Sequence, residues 1–205
     1  PNTYKYIQLL HMSTQEIVFV TGNVNKLKEV QLLLSSVTNY KLTNNPLDLE
    51  EIQDSSLEEI ARKKIQQAVA LLPKGTPVFV EDTALGFNAL NGLPGAYIKW
   101  FLKKMSLDDI VKLLDGFEDH TGEAVTTIAY SDAKGEIHIF QGITKGKIVN
   151  KRGNLDFGWD SLFEPLVEEG NVDSLTYGEM EKEFKNKLSH RGKAFKKFEE
   201  FLVKN

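Results

Sequence analysis

No cysteine occurs among the 205 residues. Disulfides and thiolate-held metals are therefore excluded, and the composition suits a reducing compartment, so a cytoplasmic or nuclear location is the expectation. No apolar run approaches the ~20 residues that span a bilayer, so no membrane partner is expected. An excess of basic charge is missing too: the formal net charge is −4, which leaves no broad basic surface for nucleic acid. Internal repeats, low-complexity tracts and an obvious linker are also absent. What remains, 41% apolar and 26% charged, is ordinary for a soluble globular protein, and the length suits one sizeable α/β domain. Residues 1–11 carry no secretory signal, and Met12-Ser13 reads as an original start behind an extension. Residues 1–15 are accordingly read as an N-terminal extension and 16–205 as a single domain.

Apolar periodicity predicts alternating elements. The unbroken run Ile17-Val18-Phe19-Val20 predicts a strand over 16–21 covered on both faces. Leu27, Val30, Leu33 and Leu34 then have helical spacing. A weak strand over 40–43 and an acidic loop over 44–54 follow. Ser55 and Ser56, each with a glutamate three residues on, announce a long helix. Residues 77–80 read as a short core strand that stops at Glu81-Asp82-Thr83. Helical segments are expected over 97–105 and 107–114. A hairpin is expected from 124–130 and 137–149 with its turn at 132–135, the second arm bent or bulged at Gly142 and Gly146. A short helix near 176–180 precedes a last amphipathic helix bearing Ala194, Phe195, Phe198, Phe201 and Leu202 on one face. This pattern predicts an α/β, two-lobed fold with a mixed twisted sheet.

Several stretches carry chemistry. Thr21-Gly22-Asn23-Val24-Asn25-Lys26 lies where a buried strand turns into a helix, a place that favours anions. It is not a Walker loop, and a plain helix cap remains the other reading. Glu81-Asp82 ends a core strand, which is costly unless a cation meets it. The turn-rich Asn91-Gly92-Leu93-Pro94-Gly95 delivers the chain to Lys99. Lys64 falls on the apolar stripe of its helix, either snorkelling to solvent or facing an anion in a cleft. The acidic loop with Glu51 is either a solvated charge run or, beside Glu81 and Asp82, a source of oxygen ligands for Mg²⁺. Phe157-Gly158-Trp159-Asp160 offers aromatic faces for a base, or simply core residues. Ser189 is a good cap for the last helix, and cations at His190 and Arg191 would then oppose its dipole.

Taken together, residues 18–26, 47–53, 80–83, 92–101, 157–160 and 189–191 closely resemble the inosine triphosphate pyrophosphatases. The resemblance runs from Glu16 to the C-terminus. It implies hydrolysis of ITP, dITP and XTP at the α–β phosphoanhydride, giving the monophosphate and pyrophosphate and clearing deaminated purines from the nucleotide pool. It also implies an extended central sheet flanked by helices, a cleft between lobes, a homodimer, and Mg²⁺ with Mn²⁺ as a substitute. Carried over by position, residues 21–26 with Lys64 resemble the phosphate cradle. Lys99 and Lys185 lie where the family contacts the nucleotide, and four lysines with a divalent ion would offset the triphosphate. Glu51 resembles the metal ligand. Asp82, with Thr83 beside it, is the expected base or metal-linked carboxylate, and Lys26 shares the catalytic assignment. Phe157 should stack on the base within the 157–160 loop, and Ser189, His190 and Arg191 should face its 6-oxo edge. A non-catalytic nucleotide-binding protein on the same fold is the alternative.

Overall fold

The computed structural model describes residues 14–205; the features expected over 1–11 and at Met12-Ser13 lie outside them. Strand β1 (Gln15–Phe19) takes in one residue assigned to the extension, because Gln15 already pairs with Tyr40. The elements that follow are α1 (Val24–Leu33), β2 (Tyr40–Asn44), α2 (Leu57–Leu71), β3 (Val78–Phe87), β4 (Pro94–Gly95), α3 (Ile98–Lys104), α4 (Leu107–Lys112), β5 (Thr121–Ser131), β6 (Ile137–Ile148), β7 (Phe163–Pro165), α5 (Lys182–Leu188) and α6 (His190–Lys204). They form a mixed sheet in the order β2-β1-β3-β5-β6-β7, with β4 attached to β3. The pairs β1–β2 and β1–β3 are parallel, and the others are antiparallel.

The alternation of side chains along a strand divides the core. Ile17, Phe19 and Phe79 pack under α1 and α6, where Phe79 meets Phe195 and Phe198 edge-on. Val18, Val20, Val78 and Val80 turn the other way, against Ala61, Ile65 and Ala68 of α2. A further cluster, with Leu85, Phe87, Ile98, Ile110 and Leu162, fills the far lobe. β3 and β5 contribute to both lobes, so the sheet is continuous between them. Ser56, rather than Ser55, caps α2 and accepts from Glu59 N.

Three expectations need correction. β3 does not end at Val80. It continues through Glu81-Asp82-Thr83 to Phe87, because β5 pairs with all ten of its residues. The expected helix at 176–180 is a single 3₁₀ turn, Tyr177–Glu179, closed by a capping box between Thr176 and Glu179; α5 follows as a separate helix. Finally, β6 carries no bulge: its register with β5 runs one-to-one from Ser131↔Ile137 to Thr121↔Lys147. Gly142 and Gly146 are explained by close approach instead. A Cβ at Gly142 would lie 2.0 Å from His190 O and 2.5 Å from Ala194 N, both backbone atoms of α6, and one at Gly146 would strike the Phe163 ring. Gly142→Ala should therefore cost about 1–3 kcal/mol, toward the upper end because helix backbone cannot rotate away. Urea unfolding measures it, and an unchanged midpoint would mean that α6 does not press on β6.

Candidate active site

The site arises from a notch in the sheet. On one side β3 is paired throughout by β5. On the other, β1 covers it only to Phe79 and β4 resumes at Leu85. Among the described residues no strand pairs the edge between them, which carries Glu81, Asp82 and Thr83. Side chains on both faces of β3 consequently border the same cleft, of about 800 Å³.

On the α6 face, Glu81 is buried and accepts from the Thr83 hydroxyl at 2.7 Å. Lys26 Nζ lies 3.2 Å and Arg191 Nη2 3.4 Å from its carboxylate. Burial alone would push the Glu81 carboxyl up; Arg191 and Lys26 outweigh it and hold the group far below the usual range. Glu29 on α1 accepts from Arg191 and, at 3.2 Å, from Lys185. Burial opposes its ionisation as well, yet the two cations keep its carboxyl low. Lys185 also pairs with Asp160 at 2.6 Å; burial dominates there and raises the Asp160 carboxyl. Phe157 lies over Lys185 Nζ, 4.7 Å from the ring centroid, with the Arg191 guanidinium at 5.4 Å.

On the α2 face, Lys64 Nζ is 2.7 Å from Asp82 Oδ1. Burial would lower the Lys64 ammonium, but Asp82, Glu51 and Glu81 raise it, so it stays charged. This resolves the sequence alternatives for Lys64 in favour of the cleft. Asp82 Oδ2 is buried without a hydrogen-bond partner. Glu51 is paired with Lys99 of α3 at the cleft mouth.

Most of the residues singled out from sequence meet here: Thr21, Gly22, Asn23, Asn25, Lys26, Glu51, Lys64, Asp82, Thr83, Lys99, Phe157, Gly158, Trp159, Asp160, His190 and Arg191 all line the cleft. Val24, Lys185 and Ser189 do not. Val24 points to solvent, Lys185 is turned inward to its two carboxylates, and buried Ser189 caps α6, accepting from Gly192 N at 3.0 Å. At the β1–α1 turn, the Asn23 side chain accepts from the amides of both Asn25 and Lys26, so two first-turn donors are already engaged. Trp159 is a core residue, edge-on to Phe163, whose indole also stacks 5.3 Å from the His190 ring. The positive φ of Gly158, +54°, reverses the chain so that Phe157 borders the cleft while Trp159 enters the core.

Two expectations change. His190 is not a cation: burial, with Arg191 and Lys185 beside it, lowers its imidazole well below the ordinary value. Nor are the four lysines free to meet an anion. Lys26, Lys64, Lys99, Lys185 and Arg191 face Glu81, Asp82, Glu51, Asp160 and Glu29, five cations against five carboxylates. Glu29 was missed from sequence; its only signal was an acid three residues after Lys26, on the same side of α1. Tyr177, whose hydroxyl lies 3.3 Å from His190 Nδ1, had none.

The chain matches the Ham1 family over residues 17–201. It is 62% identical over 194 residues to an inosine triphosphate pyrophosphatase of Candida glabrata, spanning 93% of this chain and 99% of that one. It is 59% identical over 199 residues to one from Saccharomyces cerevisiae, spanning 95% and 99%. Among solved structures, a HAM1 protein from Coxiella burnetii superposes with a TM-score of 0.79 at 26% identity, covering 93% of this chain and all of that one. Among the described residues, no helix is long and apolar enough to cross a membrane.

Proposed function

From the premise that this chain belongs to the Ham1 family, we propose that it hydrolyses ITP, dITP and XTP to the monophosphate and pyrophosphate. The observation that carries the reading is the notch itself. It opens one cleft lined both by Lys26, Lys64, Lys99, Glu51 and Asp82 and by Phe157, His190 and Arg191. A volume of about 800 Å³ lies within the range of small-ligand sites.

In this reading the triphosphate lies against the β1–α1 turn and the lysines, and the base lies against Phe157. Lys64 orients Asp82 through Oδ1, leaving Oδ2 to take the proton of a water attacking the α-phosphorus. The new P–O bond forms as the α–β bridge breaks, and pyrophosphate leaves with the bridging oxygen. Lys26 and Lys99 stabilise the charge that develops on the phosphate oxygens. Donors from His190 and Arg191 meet a 6-oxo group, whereas the 6-amino group of adenine would face donors with no acceptor. A pure binder would have no need of an open carboxylate oxygen beside the phosphates, which favours the enzyme over the non-catalytic alternative.

The residues fit a hard divalent cation. Lys99 is held by Glu51, so a triphosphate can draw it away only if something else takes that carboxylate. Asp82 Oδ2 is already an unpartnered buried oxygen. Glu51 would hold the ion, with Asp82 as the neighbouring metal-linked carboxylate; we assign it as Mg²⁺ with Mn²⁺ as a substitute, and it would neutralise phosphate charge and act as a Lewis acid. The working form is taken to be a cytoplasmic homodimer, which light scattering and cell fractionation would check.

Purified protein given ITP and Mg²⁺ should yield IMP and pyrophosphate, with ATP turned over far more slowly. A chelator should abolish turnover, and added Mg²⁺ should restore it. IDP with orthophosphate as first products, or full activity in metal-free buffer, would refute the assignment.

A further inference from the structure

The cleft is lined by a histidine whose chemistry depends on which ring nitrogen holds the proton. His190 is buried and neutral, so its ring has one donor and one acceptor. Burial and the cations Arg191, Lys185 and Lys26 disfavour the charged form and outweigh Glu81, which favours it. Nδ1 lies 3.3 Å from the Tyr177 hydroxyl. Among the described residues, Nε2 has no hydrogen-bond partner, and the residue borders the cleft.

Tyr177 is 2% exposed, and burial raises its phenol far above the ordinary value, so it keeps its proton. Among the described residues, His190 Nδ1 is the one hydrogen-bond partner of the phenol, so a phenol proton turned elsewhere would be buried without an acceptor. Trp159 and Tyr177 pack against the imidazole, at 5.3 and 5.6 Å between ring centroids and tilted by 30° and 26°, and resist a ring flip.

We infer that Tyr177 is a positioning residue for base selection: it donates to His190 Nδ1 and so fixes the tautomer in which Nε2–H is a donor to the cleft. The inference rests on the base-reading role given to His190 above. Without the phenol, Nδ1 can hold the proton and Nε2 becomes an acceptor, which suits the 6-amino group of adenine as well as the donor form suits a 6-oxo group. Tyr177 thus acts through His190 and sets selectivity without touching the nucleotide.

The test uses the full chain. Nitrogen chemical shifts of isotope-labelled histidine report the tautomer directly, and wild-type His190 should be Nε2-protonated. Tyr177→Phe should move it toward the Nδ1–H form and lower the ITP-to-ATP ratio of kcat/KM about tenfold, the scale one buried hydrogen bond controls. Packing loss alone would lower both substrates together and leave the tautomer in place. An Nδ1–H tautomer in the wild type overturns the inference whether or not the variant folds. So does a Tyr177→Phe protein with wild-type tautomer and ratio, while His190→Ala loses the ITP preference. If His190→Ala keeps that preference, the base-reading role itself fails and the inference falls with it.

Discussion

Asp82→Asn should lower kcat for ITP by ~10²–10⁴, the usual contribution of a positioned acid–base group, while ITP binding survives or tightens. The amide keeps the shape of the side chain and one acceptor for Lys64, which sits 2.7 Å from Oδ1. It removes the charge that makes Oδ2, buried and unpartnered, a proton acceptor. Sequence alone suggests that stability would hold or rise, since a carboxylate at the end of a core strand is costly. The structure reverses that expectation: Asp82 sits mid-strand and is paired, so neutralising it leaves a charged Lys64 with less compensation, and the melting temperature should fall slightly. Steady-state kinetics with product separation, beside calorimetric binding of ITP, separates the two effects. Glu81→Gln is the comparison. Both carboxylates reach the cleft and each has one buried oxygen without a hydrogen bond, Asp82 Oδ2 and Glu81 Oε2, but Glu81 has the Lys26 and Arg191 cations on it as well as the Thr83 hydroxyl. Should Glu81→Gln abolish turnover in a folded protein while Asp82→Asn stays near wild type, the base is Glu81.

What was legible in the sequence was local. Asn23 and Ser189 were readable as caps because capping chemistry depends on neighbours two or three residues away. Lys64 was readable as anomalous because helical spacing put it on an apolar stripe, and its partner proved to be Asp82. The notch was not legible. It depends on β1 stopping at Phe79's level, β4 resuming at Leu85, and β5 carrying β3 past its carboxylates, and none of these pairings is written within β3. Glu29 shows the same limit: its partners Lys185 and Arg191 are 156 and 162 residues distant. Gly142 was read as a bend or a bulge because spacing along one strand cannot reveal a helix backbone pressed against its face. The charge balance of the cleft was hidden for a similar reason, since each lysine was visible alone and its carboxylate partner was not.

Arg191→Ala should destabilise the protein by about 3–5 kcal/mol at neutral pH, the range for removing one partner of a buried ion pair. Arg191 is 3% exposed and joins two carboxylates, those of Glu29 and Glu81. Its loss leaves Glu81 to Lys26 and the Thr83 hydroxyl, and Glu29 to Lys185. The pH dependence identifies the cause. Both carboxyls are depressed in the folded state, and Arg191 is the largest influence lowering each of them. A depressed carboxyl contributes stability that is present above its unfolded value, about 4.5, and is lost as pH falls toward the folded one. Removing Arg191 lets both folded values rise, so the wild type should exceed the variant by the full amount near pH 7, and the gap should close as acidification carries pH through the variant's raised folded values toward the depressed ones of the wild type. Urea unfolding of both proteins across that range measures it. A gap that stays constant with pH would attribute the loss to packing against Phe157, 5.4 Å from the guanidinium, rather than to charge. In the folded variant the ITP-to-ATP ratio of kcat/KM should fall as well, since a donor to the 6-oxo edge has gone. If the ratio holds while stability drops, Arg191 is a structural clamp between α1 and β3, and base reading rests with His190 alone.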